Sequence, residues 1–126
     1  MTNAHILLVE DSESLRNVLA EKLRAENFDI REAANAEDAL KDVETNKPDA
    51  IITDIVMFPI DGISFITKIR GMGPWGASVH VIALTNSRDK SPQAADLHLD
   101  AYLIKAETSL DEVVNLVKEL FIADAE

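Results

Sequence analysis

The sequence predicts an α/β protein built on one doubly wound parallel sheet, and three observations carry that prediction. Strand-like apolar runs alternate with amphipathic helical stretches along the whole chain. The runs Ala50-Ile51-Ile52-Thr53 and Val81-Ile82-Ala83-Leu84 are apolar almost throughout, as strands covered on both faces must be. Four runs end in groups suited to phosphate or metal: Ile6-Leu7-Leu8-Val9 in Glu10-Asp11, the second pair in Asp54 and Thr85, and Tyr102-Leu103-Ile104 in Lys105. Short crossovers between parallel strands bring such ends to one sheet edge, where open α/β folds hold their ligands.

Each element has its own local cause. After the first strand, Ser12 or Ser14 can cap a helix whose apolar positions Leu15, Val18, Leu19 and Leu23 follow helical spacing, ending near Asn27. Residues 28–33 read as a weaker, partly polar strand suited to an edge. Asn35 then caps a helix carrying Leu40 and Val43, stopped before Pro48. The strand ending in Asp54 leads to a helix from Gly62 to Arg70 with Ile63, Phe65, Ile66 and Ile69 inward, broken by Gly71-Met72-Gly73-Pro74-Trp75-Gly76. Residues 79–84 form the next buried strand, Ser91-Pro92 reads as a cap with proline in the first helical turn, and residues 101–104 form the last strand. Thr108 or Ser109 starts a final helix with Leu110, Val113, Val114, Val117, Leu120 and Phe121 on its inner side. Five strands and five helices in strict alternation result.

Composition fits one small domain. A chain of 126 residues can bury roughly two-thirds of its unfolded surface without staples, and leaves no length for a second domain. The absence of cysteine excludes disulfides, thiol catalysis and cysteine-rich zinc sites. No apolar stretch is long enough to span a membrane, and the first strand begins too early for a signal peptide, so a cytoplasmic location is expected. A formal charge of −11 opposes direct binding to nucleic acid or anionic lipid, and much of that acidity reads as solvated surface.

The convergent edge suggests a chemistry. Glu10 and Asp11 facing Asp54 repel one another unless a cation sits among them, and oxygen-only ligands favour magnesium shared with a phosphoryl group. A carboxylate held there can attack phosphorus, which would make Asp54 a nucleophile, while Thr85 and Lys105 bind phosphoryl oxygens. A lysine or threonine at one strand end is usually a surface group or a loop cap. Five suitable groups at the ends of four strands are harder to explain that way. His5, His80 and His98 share no metal-ligand spacing and read as packing residues, and Trp75 as a cover for the end of the sheet. The glycines around Trp75 precede a strand, so they lack the order of a phosphate-binding loop.

These residues resemble the receiver domain of two-component response regulators, in its chemotaxis-type single-domain form, over essentially the whole chain. Glu10 and Asp11 match the family's acidic pair, Asp54 its phosphoacceptor, Thr85 its hydroxyl and Lys105 its ammonium. Asp54-Ile55-Val56-Met57 with Asp61-Gly62 matches the acceptor loop, and Tyr102 the aromatic switch position. The resemblance implies a flavodoxin-like sheet of strand order 2-1-3-4-5 and a Mg2+ site at Glu10, Asp11, Asp54 and Val56. It also implies a histidine kinase or histidine phosphotransfer protein as donor. A single receiver domain over residues 1–126 without an output domain would signal through another protein, by way of the helix 4, strand 5 and helix 5 face. It would be a phosphoacceptor rather than an enzyme turning over an outside substrate.

Three positions depart from the family pattern. Phe58 stands where proline usually follows the methionine, with Pro59 one place later; Asn86 replaces the usual small residue after the hydroxyl; and Ala106 replaces a proline after Lys105. A cis bond before Ala106 would cost about 2.5–4 kcal/mol, so a trans bond is expected there. Two other readings stay open: a pseudo-receiver that binds partners without phosphate, and a haloacid-dehalogenase-type phosphohydrolase. The second lacks its proton carrier, because the position two residues after Asp54 is Val56 and the neutral Ser87 offers no substitute.

Overall fold

A computed structural model describes residues 3–86 and 92–125. Five parallel strands, β1 (His5–Val9), β2 (Asp29–Ala33), β3 (Ala50–Asp54), β4 (His80–Thr85) and β5 (Ala101–Ile104), form one sheet in the order β2-β1-β3-β4-β5. The expected order is therefore observed, with the partly polar β2 at one edge. Five α-helices accompany it: α1 (Glu13–Ala25), α2 (Ala36–Thr45), α3 (Gly62–Arg70), α4 (Gly73–Ser78) and α5 (Leu110–Ala125).

Side-chain alternation along the strands divides the core into two layers. Ile6, Leu8, Ile52 and Ile82 face α1 and α5, whereas Leu7, Val9, Ile51 and Val81 face α2 and α3. β3 is buried at all five positions. Side-chain oxygens set the helix starts: Ser12 accepts from the Leu15 amide, Asn35 from Asp38 and Asp61 from Ser64. Of the two candidates for α5, Ser109 is the cap; its hydroxyl accepts from the Glu112 amide while the Glu112 carboxylate turns back to Ser109.

The strict alternation breaks in two places. Residues 73–78 do not remain a loop but form α4, with Gly73 at φ +72° and Pro74 in the first turn, where proline is tolerated. Between β4 and β5 the expected helix is a 3-10 segment, Pro92–Leu97, and the expected cap Ser91 lies outside the described residues. Arg70 bears on both departures. Its guanidinium donates to the carbonyls of Leu97 (2.8 Å), His98 (3.1 Å), Gly76 (3.0 Å) and Val79 (2.6 Å). One guanidinium thus ties the end of α4 to the end of the 92–97 segment, where His98 turns the chain at φ +54°.

Register places the strand ends level. Val9 pairs with Thr53, Asp54 with Leu84 and Thr85 with Ile104, so Glu10, Asp54, Thr85 and Lys105 share the carboxyl edge of the sheet. The start of α3 is pressed against that edge: a Cβ on Gly62 would meet the Asp54 carbonyl oxygen and lie 2.6 Å from the Ile55 Cα. Both obstacles are backbone. Gly62→Ala is therefore expected to cost about 1–3 kcal/mol, read as a lower urea midpoint, despite alanine's better helix propensity. A gain in stability would show that the contact is loose.

Candidate functional site

The site is assembled on a rigid backbone. The carbonyl of Asp54 accepts from the Thr53 hydroxyl (3.0 Å), the Ile55 amide donates to Leu84 (2.9 Å) and the Gly62 amide donates to Ile55 (2.7 Å). Asp54 is thus gripped by its own strand, by β4 and by α3. Just after β1 the carbonyl of Glu10 accepts from Arg16 (2.8 Å) and its carboxylate from the Ser12 amide (3.0 Å).

Charge is concentrated in little space. Glu10 is 2% exposed and Asp54 3%, while Asp11 is exposed at the mouth. One carboxylate oxygen from each of the three lies within 4.8 Å of the others. Lys105 donates to Glu10 Oε1 at 2.7 Å and to Asp54 Oδ2 at 3.0 Å. Burial pushes the Glu10 carboxyl above its usual range, opposed by hydrogen bonds from Lys105 and Ser12 and reinforced by Asp11 and Asp54. Burial pulls the Lys105 ammonium down, but its hydrogen bonds to Glu10 and Asp54 and their charges raise it overall.

The two oxygens of Asp54 differ. Oδ2 is held by Lys105, whereas Oδ1 is buried without a hydrogen-bond partner. An acceptor left dry in this way is costly unless a cation or an electrophile is its natural partner. Three carboxylates with an orphaned oxygen fit a hard divalent cation, which prefers oxygen ligands. Val56, 49% exposed on the loop after β3, has no side-chain oxygen to offer such a set.

The chain matches the family model of the response regulator receiver domain over residues 6–118. It belongs to that family. The chain is 32% identical over 120 residues to the transcriptional regulatory protein PrrA of Mycobacterium bovis, across 95% of this chain and 51% of that protein. It is 36% identical over 107 residues to the KDP operon transcriptional regulatory protein KdpE of Escherichia coli, across 83% and 45%. The chain spans about half the length of these curated relatives. Among solved structures it is similar to chemotaxis response regulator CheY4 of Vibrio cholerae (25% identity, TM-score 0.81, 94% of this chain and 97% of that one). It is likewise similar to the Francisella response regulator 1452 receiver domain (25%, TM-score 0.85, 97% and 99%). The protein is a receiver domain of two-component signalling, and the family's place for a metal is its acidic pocket, here Glu10, Asp11 and Asp54.

Other expected residues are placed as follows in this receiver. Thr85 is buried at the end of β4, one register step beyond Asp54, and Tyr102 is half-buried on β5 opposite Ala83, on the sheet face of Thr85. Asn86 is exposed, and Ser87 lies outside the described residues. The Lys105–Ala106 bond is trans as expected; the cis peptide among the described residues is Phe58–Pro59.

His5 pairs with Asp29 at 3.1 Å and His80 with Asp100 at 3.2 Å, both at the opposite edge of the sheet, and His98 occupies a turn. Trp75 is half-buried against the core with its indole N–H on the Pro48 carbonyl (2.8 Å). A cavity of about 280 Å³ at that far edge is lined by His5, Asp29, Arg31 and Lys47 among others and contains none of the clustered acids. Arg16 and the close approach of Gly62 were not legible beforehand. An arginine six residues past Glu10 has many surface partners to choose from, and a glycine opening a helix reads as a simple boundary.

Proposed function

We propose that this receiver accepts a phosphoryl group on Asp54 from a phosphohistidine donor in a Mg2+-dependent reaction, and that the phosphorylated form signals through protein contacts. The observation that carries the reading is the pair of inequivalent oxygens on Asp54, one tied to Lys105 and the other buried without a partner. An Asp54 oxygen attacks phosphorus, the P–N bond to the donor imidazole breaks, and the electron pair of that bond stays with the imidazole. Lys105, already on Asp54 Oδ2, stays within reach of oxygens attached there and offsets their charge. Glu10, Asp11, Asp54 and the Val56 carbonyl would hold magnesium, which when bound supplies positive charge to the phosphoryl oxygens and relieves repulsion among the acids.

Val56 carries no group that can transfer a proton, and Ser87 is short and neutral, so the acyl phosphate is expected to hydrolyse slowly. This favours a signalling acceptor over a phosphohydrolase. Signalling through protein contacts fits a cytoplasmic setting, and the relative PrrA carries further chain beyond the part matched here. Among the described residues no helix is long and apolar enough to cross a membrane.

With magnesium and a small phosphodonor, the intact mass should rise by one phosphoryl group, mapped to Asp54 and absent from Asp54→Asn. A folded sample that no donor labels supports the pseudo-receiver instead, and efficient multiple-turnover hydrolysis of phosphoesters supports the phosphohydrolase.

The output surface proposed is the 92–97 segment with β5 and α5, reached through Thr85 and Tyr102. A phosphoryl oxygen on Asp54 drawing in the Thr85 hydroxyl makes a bond to a charged group, worth about 1.5–3 kcal/mol, enough to bias a two-state equilibrium. Thr85→Ala should still be phosphorylated but show a weakened NMR response over residues 92–105 to a stable phosphoryl mimic. Equal responses in both proteins would remove Thr85 from the switch.

A further inference from the structure

We propose that Phe58, with Val56 beside it, is the apolar anchor on which a phosphohistidine-bearing protein seats itself over Asp54, an inference that rests on the phosphoacceptor reading above. Phe58 is 83% exposed and Val56 49%, and they are two of only four large hydrophobic residues found exposed among those described. Single exposed apolar residues are ordinary, but two in the loop that leaves the acceptor are not scattered. Their exposure is built in. In the same loop Met57 is buried and Ile55 and Ile60 pack against the core. The loop's ends are held by the Ile55–Leu84 and Gly62–Ile55 hydrogen bonds. Phe58 therefore points away from a loop whose other apolar groups are satisfied.

Geometry decides what covers it. Transfer needs the donor phosphorus about 3–3.5 Å from an Asp54 oxygen, and Asp54 is only 3% exposed, so a donor must come down onto the rim around it. Four residues of chain span at most roughly 14 Å, so Phe58 lies within that distance of Asp54. A protein interface of about 800 Å² per partner has a radius of roughly 16 Å. A protein donor centred on Asp54 thus covers Phe58, whereas a small donor does not. An exposed aromatic at that position is the residue type that dominates interface energetics once desolvated. The partner it fits carries an apolar patch beside its phosphohistidine, and docking through that patch avoids placing further acids against a chain of formal charge −11.

The test uses two donors on the full chain with magnesium. One is phosphoramidate; the other is whichever protein, from a panel of phosphorylated histidine phosphotransfer domains and kinase cores, transfers fastest to the unsubstituted chain. Phe58→Ala is expected to leave the phosphoramidate rate within about twofold and to lower kcat/KM for the protein donor about tenfold or more, through KM, with Phe58→Trp restoring it. Equal losses with both donors, no loss with the protein donor, or transfer from no protein in the panel while phosphoramidate labels Asp54 would each overturn the docking role. A change confined to self-association would assign the patch to a second copy of this chain. Failure of both donors on the unsubstituted chain removes the phosphoacceptor reading, and the docking role with it.

Discussion

Two carboxylates withdrawn from water and sharing one ammonium are the constraint around which the rest of the structure is arranged. Glu10 and Asp54 end neighbouring strands almost fully buried, and Asp11 adds a third charge at the surface. Removing such ions from water costs several kcal/mol each, and Lys105 offsets this only by lying within 3.0 Å of both. Among the described residues the compensation is incomplete, because one ammonium faces three acids and one Asp54 oxygen has no hydrogen-bond partner. An imbalance of that sign favours a divalent cation and, on the function proposed above, a phosphoryl group with it. The same imbalance that weakens the fold prepares the site.

Such a cluster needs a backbone that does not yield. β3 supplies it by being buried along its whole length, and the Thr53 hydroxyl, β4 and the start of α3 hold the peptide of Asp54 from three sides. α3 then carries this rigidity away from the site: Gly62 lies close against the Asp54 carbonyl at one end, and Arg70 binds the chain leading into β5 at the other. β5 in turn presents Tyr102 and delivers Lys105. A disturbance at Asp54 therefore has a short physical route to the face proposed to meet a partner.

Much of this was legible in the residues. The continuous apolar runs of β1, β3 and β4 could hardly be anything other than covered parallel strands, and Ser12, Asn35 and Ser109 marked helix starts because their oxygens complete the first turn. Strand ends carrying acids, a hydroxyl and an ammonium gave the site, since topology alone gathers them. Contacts that depend on tertiary reach were not legible. α4 forms although its sequence is rich in glycine, and residues 92–97 adopt a 3-10 conformation although their pattern suits a helix; in both places Arg70 takes up backbone carbonyls from afar. Nothing in the order of residues announced that Lys105 would bridge Glu10 as well as Asp54, or that Phe58 would stand outside the core.

The dependence of the acidic cluster on Lys105 can be measured directly by a double-mutant cycle. Unfolding free energies in urea, with a chelator present, are compared for the unsubstituted chain, Lys105→Met, Asp54→Asn and the double variant. If the ammonium offsets buried charge on Asp54, Asp54→Asn will favour stability more in the Lys105→Met background than in the unsubstituted chain, with a coupling of about 1–3 kcal/mol. Effects that add to within about 0.5 kcal/mol would mean that the two groups do not share charge, contradicting the account at its centre.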